Sequence, residues 1–446
     1  MTEQPDPSQS SQPTLARRLG PFDATMIVMG GIIGAGIFVN PSVVARHVHT
    51  PLLVLGAWII GGAIALIGAF VYAELAVLRP RVGGQYAYLR DAYGPVVAFL
   101  YGWTLLLVTQ TGGMAGAAII FGRYFRELSG LGVPEQVVAA STLGILTVIN
   151  CLGVRAGSNV QSALMIIKLA AIAMLIGVGF IFLTPATTAP AAATVDSGGA
   201  IGLATAMVPV LFAYGGWQTA SFVSGEMRNP RRDLPRGLLI GVIGVIVLYL
   251  AVTFVCLRAL GVDGLAQTST PASEVMRRAL GERGARLIAL GIAISTAGFL
   301  SQSVLTAPRV YYAMARDGVF FKLVGTLDRR TRVPVVAIVL QGAWAALIAL
   351  TGKYDQILNY VVSIDVLFFG LTGASLLVFR MREKRAGEVE ETDLVRVPLH
   401  PFTTSLFVLA CWSVSATTIV QYPANAGVGV MILFAGVLVY QFWARR

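Results

Sequence analysis

Charge is scarce in this chain. Asp, Glu, Lys and Arg make up only 12% of its 446 residues while 56% are hydrophobic, against roughly a quarter charged in an ordinary soluble domain. That deficit excludes a water-soluble core wrapped in a solvated surface. Cysteine and histidine are rare as well, with three of each. Cys151, Cys256 and Cys411 lie in or at the ends of apolar runs and show no ligand spacing, which excludes a disulfide framework and a Cys/His metal cluster. They read as small buried hydrophobes, and no metal or cofactor is expected.

What the chain has in abundance is uncharged apolar sequence. Runs close to the ~20 residues needed to cross ~30 Å of hydrocarbon recur from end to end. Twelve spans are expected, at about 23–44, 52–78, 93–123, 134–153, 158–184, 200–225, 236–260, 285–316, 334–351, 356–380, 401–420 and 425–443. The fold class is therefore an all-α polytopic membrane protein in a lipid bilayer. The polar opening "MTEQPDPSQSSQPT" has no cationic n-region and no cleavage site, so the first span is expected to remain in the mature protein.

The formal net charge of +11 is set by where Lys and Arg sit. With the amino terminus inside, most of them fall on the inner loops, as in "MRNPRR" at 227–232 and "RMREKR" at 380–385, while the outer loops hold few. By the positive-inside rule both termini are cytoplasmic and the membrane is the cytoplasmic one. Basic residues spread over membrane loops do not form a nucleic-acid surface. The outer stretch 261–284 is expected to carry a short helix from about Pro271 to Leu280, and the outer stretch 185–199 reads as a polar connection. Residues 381–398 are a charged inner linker between ten spans and the last two.

Spans 1 and 6 are interrupted in a way the others are not. The first carries "GGIIGAGIF" at 30–38; the sixth carries "VPVLFAYGGWQ", with Pro209, Gly215 and Gly216 inside an apolar segment. Breaks at corresponding places in two halves are the sequence signature of a transporter built from inverted repeats. Irregular backbone survives in hydrocarbon only where protein or a cavity supplies partners. Beyond the first break, Ala35, Gly36 and Ile37 would offer free N–H groups and the positive end of a helix dipole. Before it, Ile32 and Ile33 would offer free carbonyls, and Phe212, Ala213 and Gly215 more. An α-amino acid carries the complementary carboxylate and ammonium. The plainer alternative is a close-packing face of small residues.

Two ionisable residues lie well inside spans. Lys168, in "VQSALMIIKLAAIAML", is nine residues past Asn159, roughly 13 Å into span 5 by helix rise. It is either a functional cation, fixed or exchanging a proton, or a snorkelling side chain. Asp365, in "YVVSIDVLFFGLTG", lines the pathway, meets a substrate ammonium, balances a proton, or is a structural acid. Glu74 and Glu226, beside "LRPR" and "MRNPRR", read as surface ion-pair partners. Phe212, Tyr214 and Trp217 cluster at the second break; Phe212 and Trp217 are the gate candidates. One lysine, one aspartate and no histidine inside the spans leave nothing to run an enzyme.

Four stretches in order, "GGIIGAGIF", "YAELAVLRPRVGGQYAYLRDAYG", "FAYGGWQTASFVSGEMRNPRRDLPRG" and "APRVYYAMARDGVF", resemble the amino acid–polyamine–organocation superfamily, within it the L-type amino acid transporters and their bacterial exchanger relatives. The resemblance covers about residues 20 to 380. It implies a leucine-transporter-like fold of five plus five helices and two peripheral ones: a tail at 1–20, repeats at 21–184 and 200–380, a linker at 381–400 and peripheral helices at 401–446. It also implies carboxylate binding at Gly34, Ala35 and Gly36, ammonium binding from Phe212 through Ala213 and Tyr214 to Gly215, and a gate at Phe212. Lys168 would stand in for sodium.

The chain departs from the resemblance in two places. The loop after span 3, "GRYFRELSGLGVP", has no cysteine, so no disulfide-linked ancillary subunit is implied. Span 8 reads "GFLSQSVL" where many relatives carry asparagine, so no substrate role passes to Ser301 or Gln302. The expected function is sodium-independent transport of neutral L-amino acids by alternating access, as an exchanger. The alternatives are a proton-coupled symporter, a cationic amino acid or polyamine permease, and a sensor that binds without transporting.

Overall fold

Proline opens helix after helix in this molecule, at the first turn, where its missing N–H costs nothing. The computed structural model describes residues 19–79, 83–152, 157–182, 199–224, 227–328, 333–386 and 395–444. Residues 1–18 of the tail, 185–198 of the outer connection, Glu226 and 387–394 of the charged linker lie outside the described residues. The helices are α1 (Pro21–Ile32), α2 (Gly36–His47), α3 (Pro51–Leu78), α4 (Gln85–Tyr93), α5 (Pro95–Thr104), α6 (Gln110–Ser129), α7 (Glu135–Cys151), α8 (Gly157–Phe182), α9 (Gly199–Tyr214) and α10 (Thr219–Phe222). They continue with α11 (Pro230–Gln267), α12 (Pro271–Thr306), α13 (Pro308–Arg316), α14 (Val335–Thr351), α15 (Tyr354–Ala386), α16 (Phe402–Gln421) and α17 (Pro423–Ala444). A single π turn, Leu105–Thr109, joins α5 to α6. Among the described residues the only β pairing is an isolated bridge between Leu19 and Met227.

By length and composition eight helices among the described residues can cross a membrane, or nine with α1 and α2 taken as one bent span. The other three of the twelve expected positions hold α7 and α14, apolar but only 17 residues each, and the divided pair α9 and α10. The expected surface helix is the first part of α12, set off from the rest where Gly281 turns to φ +67°. Large apolar side chains stand exposed along the outer faces, among them Leu52, Ile166, Val247 and Phe442. In water such faces would aggregate; in lipid they are the solvated surface.

The packing repeats itself. Helix α1 lies on α11 as α9 lies on α3, and α1 touches α8 as α9 touches α15. Likewise α11 meets α8 as α15 meets α3, and α12 meets α8 as α15 meets α6. Small residues set the closest of these approaches: a Cβ added to Gly237 of α11 would stand 2.6 Å from Ala24 Cβ of α1. Helices α16 and α17 pack on α15 and flank the rest.

Near the end of α3 Glu74, expected at the surface, is only 2% exposed. Its carboxylate accepts from Arg380 Nε at 2.6 Å and from Val397 N–H at 2.7 Å, so one acid ties α3 to α15 and to the chain entering α16. Arg90 of α4 pairs with Asp317, which also accepts from Tyr86 Oη at 2.9 Å. Removing one partner of a buried pair strands the other. Glu74→Ala is expected to cost about 3 kcal/mol, read as a lowered melting temperature in detergent. Glu74→Gln, which keeps an acceptor for Val397, should lose less.

Candidate binding site at two broken helices

The break in the first span is three residues long. Helix α1 stops at Ile32, α2 starts at Gly36, and their axes differ by 42°. Ile33 has a non-helical backbone, φ −73° and ψ 84°. The Gly34 amide turns back to Ile32 O at 2.8 Å and the Phe38 amide reaches Ala35 O at 3.1 Å. The amides of Ala35, Gly36 and Ile37 precede the first complete turn of α2, so they have no acceptor within the helix. The positive end of its dipole sits with them.

The second break follows Tyr214, where residues 215–218 turn before the one-turn α10. Gly215 N–H still closes on Leu211 O at 2.8 Å, but Gly216 N–H leaves the helix for Gln218 Oε1 at 2.9 Å. The Phe212 carbonyl is thereby left without its helical donor. Gly216 adopts φ +113°, a backbone that L side chains rarely take, and a Cβ there would lie 2.1 Å from Gly31 O. The two breaks therefore meet backbone to backbone.

Three side chains reach backbone carbonyls in and beside these breaks. Tyr249 Oη, from the middle of α11, lies 3.0 Å from Ile32 O and 3.2 Å from Ala213 O, sharing its one proton between the two broken helices. Lys168 Nζ, from α8, donates to Ile33 O and stands 3.5 Å from Gly30 O. Lys168 is 2% exposed and aimed at the break, which rules out snorkelling. Gln302 Nε2, from α12, donates to Ile27 O at 2.9 Å. The carbonyls of Ile32 and Ile33, expected to be free, are thus occupied, because backbone acceptors released inside an apolar bundle draw the nearest donors.

Between the breaks lies a cavity of about 90 Å³. Of the residues singled out by sequence, Ile32, Gly34, Ala35, Gly36, Phe212, Ala213, Gly215 and Asp365 line it. Ile33, Ile37, Tyr214, Trp217 and Lys168 are not among its lining residues. Tyr214 turns to α3, donating to Trp58 O at 3.2 Å, and Trp217 packs on Phe369 at 4.9 Å and on Tyr72. Phe212 does line the cavity, and its ring meets Tyr354 edge to face at 6.2 Å. Tyr354 in turn donates to Asn40 Oδ1 at 2.8 Å, and Asn40 Nδ2 donates to Pro209 O at 2.8 Å, closing α2, α9 and α15 together.

Sequence reasoning missed the wall opposite the breaks. Thr109, Gln110 and Gly113 line the cavity where the π turn enters α6, with Phe299, Gln302 and Ser303 of α12 beside them. The Thr109 hydroxyl has no hydrogen-bond partner among the described residues, and none of them donates to the Asp365 carboxylate. Two residues of the lining thus carry an unmatched polar group. The glycines of "QTGGMAGA" at 110–117 were a signal of close approach; the π turn leaves no mark in apolar periodicity. Among the described residues no group of three or more His, Cys, Asp and Glu is arranged to hold a metal ion.

The family model described as Amino acid permease matches residues 19–441. The chain belongs to the amino acid permease family. It is 30% identical over 436 residues to the serine/threonine exchanger SteT of Bacillus subtilis (strain 168), covering 97% of this chain and 98% of that one. It is 29% identical over 452 residues to the b(0,+)-type amino acid transporter 1 of Mus musculus, with 97% and 90% covered. Against the large neutral amino acids transporter small subunit 2 of Homo sapiens the identity is 30% over 454 residues, with 97% and 82% covered.

The contact between the breaks makes a steric prediction for this permease. Gly216→Ala combines a left-handed backbone with overlap on the Gly31 carbonyl, at about 3 kcal/mol or more. It is expected to lose the monodisperse peak in size-exclusion chromatography. Gly34→Ala, whose Cβ would only touch the Phe299 ring at 3.4 Å, should keep it.

Proposed function

We propose that this permease carries small neutral L-amino acids across the cytoplasmic membrane by alternating access, as a sodium-independent exchanger with both termini in the cytoplasm. The observation that carries the reading is the meeting of two broken helices at one cavity, with the amides of Ala35, Gly36 and Ile37 unclaimed on one side and the Phe212 carbonyl released on the other. A substrate carboxylate takes the amides and its ammonium takes the region from Phe212 to Gly215. Phe212 is the gate.

The central cavity is small, about 90 Å³, which supports a small substrate. The name of the Bacillus subtilis relative, a serine/threonine exchanger, points the same way, and supports exchange. Thr109 and Asp365 supply polar partners for a hydroxylated side chain.

The paired packing supports reading 21–184 and 200–380 as two inverted five-span repeats. The tail at 1–20 and the linker at 381–400 then flank them, and 401–446 supplies the peripheral helices. In this reading Lys168 is the coupling cation, holding the first break through Ile33 as a bound cation would. The lone Asp365 carboxylate in the cavity favours a second reading, in which a proton travels with the substrate.

Proteoliposomes separate these readings. Uptake of labelled L-serine should require unlabelled amino acid inside and persist when sodium is replaced by choline. A pH gradient that drives net uptake into empty vesicles, and loses that effect in Asp365→Asn, would favour the proton reading. Lys168→Ala should lower exchange at least about tenfold, the equivalent of one broken charge-assisted hydrogen bond; unchanged exchange would remove Lys168 from the mechanism.

A further inference from the structure

Across Tyr354 from Phe212 lies a second cavity. It has a volume of about 310 Å³ and includes Tyr354 in its lining, together with Val39 and Val43 of α2. Tyr354 therefore faces two spaces: its ring rests on Phe212, which lines the central cavity, while the residue also borders this outer one. Tyr354 and Phe212 form the partition between them. Tyr354 is held in place by its hydrogen bond to Asn40.

The outer cavity is lined by five charged side chains where the central one has a single carboxylate, Asp365. Arg46, Arg123 and Lys353 line it with Glu135 and Asp355. Arg46 is committed to Ala266 O and Thr268 O, at 2.9 and 3.3 Å. Arg123 stands at 3.5 Å from both Glu135 Oε2 and Ser269 O. Lys353 and Asp355 flank Tyr354 in sequence, and neither side chain has a hydrogen bond or ion pair to a described residue. A free ammonium and a free carboxylate thus sit on either side of the partition, amid an excess of positive charge.

We infer that this outer cavity is a docking site for zwitterionic α-amino acids, which bind there before the Tyr354–Phe212 partition opens. The substrate carboxylate faces Lys353 and Arg46; its ammonium faces Asp355. Charges this exposed attract over one Debye length, ~8–10 Å at physiological salt. The site therefore raises the capture rate on one face of the membrane more than it raises affinity. The inference rests on the transport reading above and names a second station for the same substrate class.

The test uses the full chain and labelled L-serine, with exchange measured from both faces in intact cells and in inside-out vesicles. Lys353→Gln combined with Asp355→Asn should raise the external KM about three- to tenfold and flatten its dependence on salt. Maximal rate, melting temperature and the internal KM should not change. An external KM within twofold of wild type, or an equal rise on both faces, overturns the docking site. Absence of serine exchange by the wild-type protein would instead overturn the transport reading.

Discussion

Backbone groups released inside hydrocarbon must find partners, and the centre of this molecule is organised by that need. Each unmatched amide or carbonyl costs several kcal/mol there. The break at residues 33–35 releases both kinds, and the protein treats them unequally. The carbonyls of Ile32 and Ile33 are taken by Gly34, Tyr249 and Lys168. The amides of Ala35, Gly36 and Ile37 have no acceptor within α2. At this first break the acceptors are filled and the donors open, an arrangement complementary to an anionic group.

The same partners bind the two halves to each other. Tyr249 reaches from α11 to both breaks, so a shift of α1 relative to α9 strains one hydroxyl shared between Ile32 and Ala213. The contact of Gly31 with Gly216 leaves no space for slippage there. One turn into α2, Asn40 joins Pro209 to Tyr354. Helix α15 is thereby tied to the broken helices. Elsewhere in the bundle Glu74 pairs with Arg380 and Arg90 with Asp317.

Much of this was legible in the sequence because it violates local rules. Glycine and proline inside apolar spans, and a lysine far from either membrane face, are costly choices that stand out against a uniform background. The breaks at 33–35 and 215–218 and the approach of Lys168 were readable on those grounds. Helix rotation was not: Tyr214 and Trp217 belong to the same short stretch as Phe212, yet packing against Trp58 and Phe369 turns them away from the cavity. Tyr249 is one tyrosine in a long apolar run, and its importance comes from two carbonyls far away in the chain. Glu74 looked like a surface acid until Arg380 and Val397, more than 300 residues on, came to cover it.

The central claim is that open backbone amides hold the substrate through its carboxylate. Its most direct test is competition against labelled L-serine by L-serine methyl ester and by ethanolamine, which keep the ammonium and lose the carboxylate. Hydrogen bonds to a charged acceptor contribute about 1.5–3 kcal/mol each, so losing two of them predicts inhibition weaker by roughly 100-fold or more. Competition by the ester within about threefold of unlabelled L-serine would contradict the account, since open amides at Ala35, Gly36 and Ile37 would then have no part in recognition.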